Sequence, residues 1–315
     1  MAIQWYPGHM AKTRRLMADN LKLVDVVVEM LDARLPQSSR NPLINEMIGE
    51  KPRLLVLAKA DLAEEAYSKA WLAYFRKEGL AAALCDFKNA NPKTEMKAVT
   101  DGLQSQAAGL LARRQSRGIT NRVIRAMVTG IPNAGKSTMI NLLAGRAMTE
   151  TADRPGVTRG KQWIRLGQDL ELLDMPGILW PNLEDREGAR KLAVTGAIGD
   201  NAYSQRELAL WLIGWLREHR PGRLAERYSV AEAVGEIGVA DEVADGVADS
   251  EEMLEREDPA SVALLEAIGR RRGLLRKGGI VELDKTAVVL LDELRGGKLG
   301  RITWDEPPLT VSRGA

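Results

Sequence analysis

The chain has one cysteine and two histidines among its 315 residues, and no apolar run of about eighteen residues. A single cysteine, Cys85, excludes an internal disulfide framework and suits a reducing compartment, where it reads as a small buried apolar side chain. With only His9 and His219 to join it, a structural zinc centre lacks ligands. Without a long apolar run there is no candidate membrane helix. The opening stretch MAIQWYPGHMAKTRR also lacks a signal-peptide core, so a cytoplasmic protein with no membrane partner is expected. Neither sign of charge dominates: the net charge of +2 permits a nucleic-acid partner without demanding one. The charges are nevertheless uneven. Basic residues gather in LARRQSRGITNRVIR and GRRRGLLRKGG, while GEIGVADEVADGVADSEEMLEREDP is acidic. Such runs are ordinarily solvated helix faces, and an RNA-binding face is the alternative.

What is present is an alternation. Short aliphatic runs, VDVVVEMLDA, PRLLVLAKA, AAALCDF, RVIRAMVTG, QWIRLGQ and DLELLDMPG, each end in a polar turn. Between them lie stretches long enough for crossover helices, such as Ala63 to Glu78 and Lys136 to Leu143. This pattern predicts an α/β fold with a mostly parallel sheet and helices on both faces. After DMPGILWP the strand signals fade. Ser204 with Glu207 forms a capping box, Asp258 precedes Pro259 as an N-cap, and Asp284 repeats the pattern. The expected domains are therefore 1–180 (α/β), 181–295 (small and all-helical) and a loosely held tail at 296–315.

The stretch GIPNAGKST, Gly130 to Thr138, matches the phosphate-binding loop pattern, with a strand before it and a helix after. Glycines let backbone amides close around phosphate oxygens, and the helix N-terminus adds a favourable dipole. Asn133, Ala134, Gly135, Lys136, Ser137 and Thr138 form this cradle. Lys136 would reach the outer phosphates and Ser137 would ligate Mg2+. Asp174 and Gly177 of DMPG read as a D-x-x-G element: the aspartate acts on magnesium and the glycine amide meets the terminal phosphate. Thr158 in RPGVTRG, between them, is a further candidate magnesium ligand.

The base-reading N-K-x-D element is missing downstream. Upstream, AKADL places Lys59 and Asp61 at the end of a strand, with Ala58 where that motif has asparagine. Asp61 can still accept the paired guanine protons, and Asp86 in LCDFKNA is placed to back the base. The parts are those of a GTPase, rotated in sequence. A sheet fold tolerates the rotation because every binding loop lies at one edge.

QWYPGHMAKTRR, DVVVEMLDARLPQSSRNP, AKADL, GIPNAGKST, RPGVTRG and DMPGIL occur in this order, and on these motifs the chain resembles the ribosome biogenesis GTPase A family of circularly permuted GTPases. The resemblance is close over about residues 3 to 180. It implies a GTP-hydrolysing enzyme acting in late assembly of the large ribosomal subunit, binding GTP and GDP, with rRNA contacts from the helical domain. The residue after D-x-x-G, often a water-orienting glutamine, is Ile178 here. The resemblance therefore gives His9 the task of orienting water, alongside Lys136 and Thr158 at the reacting phosphate. Asn133 matches an asparagine that helps hold a potassium ion in some relatives, making K+ a candidate cofactor beside Mg2+. Asp32 and Arg34 read first as a tied strand-end turn, with a ribosome contact as the other reading. A monomer is expected. Two other functions fit the residues: a P-loop ATPase or kinase, and an RNA-binding assembly factor with a weakly active nucleotide site.

Overall fold

The computed structural model describes residues 7–119, 122–144, 163–166, 168–179, 185–231 and 258–308, with side chains from residue 14 onward. Thr158 lies outside the described residues, and so does the side chain of His9. Two compact units emerge. One comprises 5–191 together with 301 onward, and the other consists chiefly of 192–300.

In the first unit the aliphatic runs become strands: β1 (Val26–Asp32), β2 (Arg53–Ala58), β3 (Ala81–Leu84), β4 (Ile124–Gly130), β5 (Trp163–Leu166) and β6 (Leu170–Asp174). They form one sheet in the order β3-β2-β1-β4-β6-β5, parallel throughout except for β5 against β6. Every residue of β1 and β2 is buried, as strands covered on both faces require. Alternation decides which face each side chain joins. On one face, Val27, Met127 and Leu173 pack with Met17 and Leu21 of α1 (Pro7–Leu21) and with Ile44 and Ile48 of α2 (Pro42–Ile48). Further along that face, Leu31, Leu55 and Leu57 pack with Trp71 and Phe75 of α3 (Glu65–Lys77). The opposite face meets α4 (Pro92–Ser116) and α5 (Lys136–Ala144). There α4 comes so close that a Cβ at Gly102 would stand 2.9 Å from the Leu54 methyls.

Strand order reverses between β1 and β4: from β1 the sheet runs outward through β2 to β3, and from β4 it runs the other way through β6 to β5. The carboxyl ends of β1 and β4 are the topological switch point, where open α/β sheets bind ligands. The phosphate loop opens there, after β4, and the base-reading turn opens at the end of β2, the strand next to β1.

The second unit is helical. It follows α6 (Arg186–Val194), which spans the boundary, and contains α7 (Gln205–His219), α8 (Arg223–Tyr228), α9 (Pro259–Arg271) and α10 (Leu283–Arg295). Leu208, Leu212 and Trp215 line the buried face of α7, and α9 contributes Leu264, Leu265 and Ile268. Ser204 caps α7 by accepting from the Glu207 amide, and Asp258 caps α9 through the Ala260 and Ser261 amides. Asp284 does not cap α10: the helix begins two residues earlier than that cap would set, Glu282 occupies the cap position, and Asp284 falls in the first turn.

The expectation of a loose tail fails at residues 302–305. Ile302, Thr303, Trp304 and Asp305 are buried, and the chain from 301 returns to the first unit. The Trp304 amide donates to the Arg34 carbonyl, and the Ile302 amide donates to that of Leu62. Asp305 accepts from the amides of Gln37 and Ser38 and from the Ser38 hydroxyl, and its carbonyl accepts from the Trp71 indole. The boundaries expected at 180 and 295 accordingly differ from those of the compact units, at 191 and 300.

Candidate nucleotide site

At the end of β4 the chain turns sharply into the phosphate loop. Gly130 has φ +146°, and a Cβ there would run into the Met30 carbonyl oxygen of the adjacent strand, so only glycine fits. Asn133, at the exposed tip, adopts a left-handed φ of 55°, which asparagine tolerates better than most residues. Gly135 leads into α5, whose first residues present Lys136, Ser137 and Thr138 in the order that the motif requires. The Ser137 and Thr138 side chains are exposed.

Lys136 is almost fully buried. Its ammonium folds back on the loop, 2.7 Å from the Ile131 carbonyl and 3.4 Å from that of Gly130. Burial pushes its pKa down from 10.5 to about 8; the Asp174 carboxylate opposes the shift and the neighbouring Lys59 ammonium adds to it. Asp174 ends β6, and burial raises its carboxyl while Lys136 and the Met175 amide draw it down. Beyond it the D-x-x-G segment lies against the phosphate loop. The Ile178 amide donates to the Gly130 carbonyl at 3.0 Å. A Cβ on Gly177 would stand 2.8 Å from the Pro132 Cα and 3.0 Å from the Lys136 ammonium. Ile178 itself is buried in the cluster that contains Met17, Leu21 and Met175, and its carbonyl accepts from Asn41, the N-cap of α2.

The base-reading segment opens at the end of β2. A Cβ on Gly135 would lie 3.4 Å from the Ala58 Cβ, so this turn and the phosphate loop meet directly. Lys59, left-handed at φ 61°, sends its ammonium 2.9 Å to Asp32 at the end of β1. Asp32 also receives the Arg34 guanidinium on both oxygens, together with the Arg34 amide. Burial alone would raise the Asp32 carboxyl, but Arg34 and Lys59 outweigh it and hold it well below the carboxylate range. The D-A-R segment is thus a tied strand-end turn that also anchors the base-reading loop. Asp61 lies in the short turn Ala60–Leu62 and accepts from the Asn89 side chain at 2.9 Å. Asp86 is placed beside it, yet its Oδ1 is taken by the Lys88 and Asn89 amides, so this carboxylate shapes the loop that carries Asn89. The Ala60 amide donates to the Cys85 carbonyl, joining the two loops into one wall. Cys85 is buried, and burial, with Glu95 beside it, pushes its thiol up, as an inert core cysteine requires.

Sequence reasoning missed Asn89, Asn41 and residues 301–305. Asn89 carries no motif of its own, and the other partners are far apart in the chain. A separate cavity of about 880 Å³ lies between α4, α5 and the β5–β6 hairpin, lined by side chains such as Met96, Leu103, Ile124 and Leu143. None of the loops described above contributes to it.

A phosphate loop, a D-x-x-G segment pressed against it and a base-reading turn that precedes both in the chain define a circularly permuted P-loop GTPase. The comparisons agree. The family model described as 50S ribosome-binding GTPase matches residues 125–228, beginning at the phosphate-loop strand and leaving β1 to β3 ahead of it. Ribosome biogenesis GTPase A of Bacillus cereus is 44% identical over 307 residues, covering 98% of this chain and 95% of that protein. The protein of that name from Priestia megaterium is 42% identical over 308 residues, covering 98% of each. The crystal structure of GNP-bound YlqF from T. maritima shares the fold, with a TM-score of 0.59 at 24% identity over 94% of this chain and 99% of that one. The chain belongs to the ribosome biogenesis GTPase A family.

Proposed function

We propose that this protein binds and hydrolyses GTP in the cytoplasm as a monomeric factor in late assembly of the large ribosomal subunit. The observation that carries this reading is the approach of Ala58 to the phosphate loop, 3.4 Å from where a Cβ on Gly135 would stand, which supports one site shared by base reader and phosphate cradle. Asp61 accepts the guanine protons, with Lys59 held beside it by Asp32. The amides of Asn133, Ala134 and Gly135 and the Lys136 ammonium hold the outer phosphates, with Thr138 beside them on α5. Ser137 and Asp174 offer hard oxygen donors suited to Mg2+, which Thr158 would join. When bound, that ion neutralises charge on the phosphates. Asn133, exposed at the loop tip, is the residue we assign to K+.

Ile178 cannot polarise water, being alkyl and buried. Orientation of the attacking water therefore falls to His9, whose backbone lies in the first turn of α1. The same α1 packs its Met17 and Leu21 on Met175 and Ile178, which supports a link between the histidine's helix and the D-x-x-G segment. The helical unit, with Arg270, Arg271 and Arg276 among its basic residues, is the surface we assign to rRNA.

The test is nucleotide-dependent cosedimentation with separated ribosomal subunits, run beside hydrolysis with and without large subunits. The expected result is large-subunit binding with GTP and faster turnover in its presence. Equal turnover, or equal binding with GTP, ATP and no nucleotide, overturns the reading.

A further inference from the structure

Ala58 lacks the side chain that ordinarily ties a base-reading loop in place, so this chain must position Asp61 by other means. The described contacts of the loop identify them. Lys59 is held by Asp32, the Asp61 carboxylate by the Asn89 side chain and the Ala60 amide by the Cys85 carbonyl, and a further set of grips comes from the far end of the chain. The Ile302 amide donates to the Leu62 carbonyl at 3.0 Å, one residue beyond Asp61. Two residues on, Glu64 and Thr303 bond reciprocally: the Glu64 amide donates to the Thr303 hydroxyl at 2.9 Å, and the Thr303 amide donates to the Glu64 carboxylate at 3.0 Å. Thr303 is 1% exposed, so these bonds are shielded from water. The strap is fixed in turn by Trp304 on the Arg34 carbonyl and by Asp305 on the amides of Gln37 and Ser38. It therefore spans the two loops that carry Asp61 and the partners of Lys59.

We infer that the strap Ile302–Asp305 is a positioning element for guanine recognition, with Thr303 and Ile302 acting through the Leu62–Glu64 backbone on Asp61. The inference rests on the proposed GTP site and adds where its base specificity is set. A strap that only stabilised the fold would alter melting and leave base discrimination alone. A positioning strap alters discrimination itself, because the phosphate contacts common to GDP and ADP lie on another loop.

The experiment measures GDP and ADP affinities by titration calorimetry, together with melting temperature, for the full-length chain and its Thr303→Val and Thr303→Ser variants. Valine keeps the shape and removes the acceptor; serine restores it. The expected result is about a tenfold loss of GDP affinity in Thr303→Val, or ~1.4 kcal/mol, with ADP affinity unchanged and GDP binding recovered in Thr303→Ser. Glu64→Ala breaks the pair from its other side and should narrow GDP-over-ADP preference in the same way, so the test survives poor folding of one variant. Unchanged discrimination in both Thr303→Val and Glu64→Ala overturns the strap's role, whatever the melting temperatures. A parent chain without preference for GDP over ADP overturns the GTP site itself and the strap's role with it, a result recognisable before any variant is made.

Discussion

At the scale of single residues, Lys136 combines burial with charge. Its ammonium is satisfied by loop carbonyls and partly offset by Asp174, yet burial still lowers its pKa to about 8. The folded chain therefore holds this proton less tightly than the unfolded one, and Lys136 contributes a cost to stability that is relieved as pH rises from about 8 to 10.5. A phosphate anion reverses the preference by favouring the charged form. Nucleotide binding at pH 8.5 should take up protons, visible in calorimetry as an enthalpy that varies with buffer ionisation, and affinity should decline as pH rises past 8. Ile178 makes a second case. Substituting Ile178→Gln to restore a water-orienting amide would bury that amide among Met17, Leu21 and Met175. We expect a loss of about 1–3 kcal/mol in denaturant unfolding and no gain in hydrolysis rate. The positions of Lys136, Ser137, Asp174 and Asp61 at or just beyond strand ends were legible in the sequence from their motifs. Asn89 was not, since its value arises only from facing Asp61 across two loops.

At the scale of elements, β1 and β2 read directly because their aliphatic runs are fully buried, and burial leaves periodicity little to obscure. Two of the three expected helix starts are those observed. The third, Asp284, failed because Glu282 and Asp284 are both acidic residues near the start of one helix, and only the backbone geometry selects between them. The approach of α9 to α10 depends on Gly269. A Cβ there would collide with the Val281 side chain and stand 2.6 Å from the Thr286 hydroxyl. Gly269→Ala should destabilise the helical unit by about 1–3 kcal/mol, read as an earlier loss of helical circular dichroism, while the affinity for GDP stays at the parent value.

At the scale of the molecule, permutation places the phosphate loop mid-chain and leaves the ends free to do other work. The sequence rule that serves well within a domain, reading boundaries where strand signals stop, misplaced the last one. Partners of residues 301–305 include Arg34, Gln37, Ser38, Leu62, Glu64 and Trp71, more than two hundred positions upstream, and no local pattern announces them. The helical unit is thereby an insertion in the nucleotide unit. A gene cut after the last helix would strip Ile302 and Trp304 from their buried seats and yield an insoluble product. A splice that deletes 192–300 and joins Lys191 to Arg301 through a short glycine–serine linker should instead yield a folded, GDP-binding miniature, since the Lys191 ammonium already lies 3.5 Å from the Asp305 carboxylate. If that miniature fails to bind GDP, the insertion is needed for the pocket itself; if it binds but no longer pellets with large subunits, the two halves of the protein are separable trades, nucleotide in one and ribosome in the other.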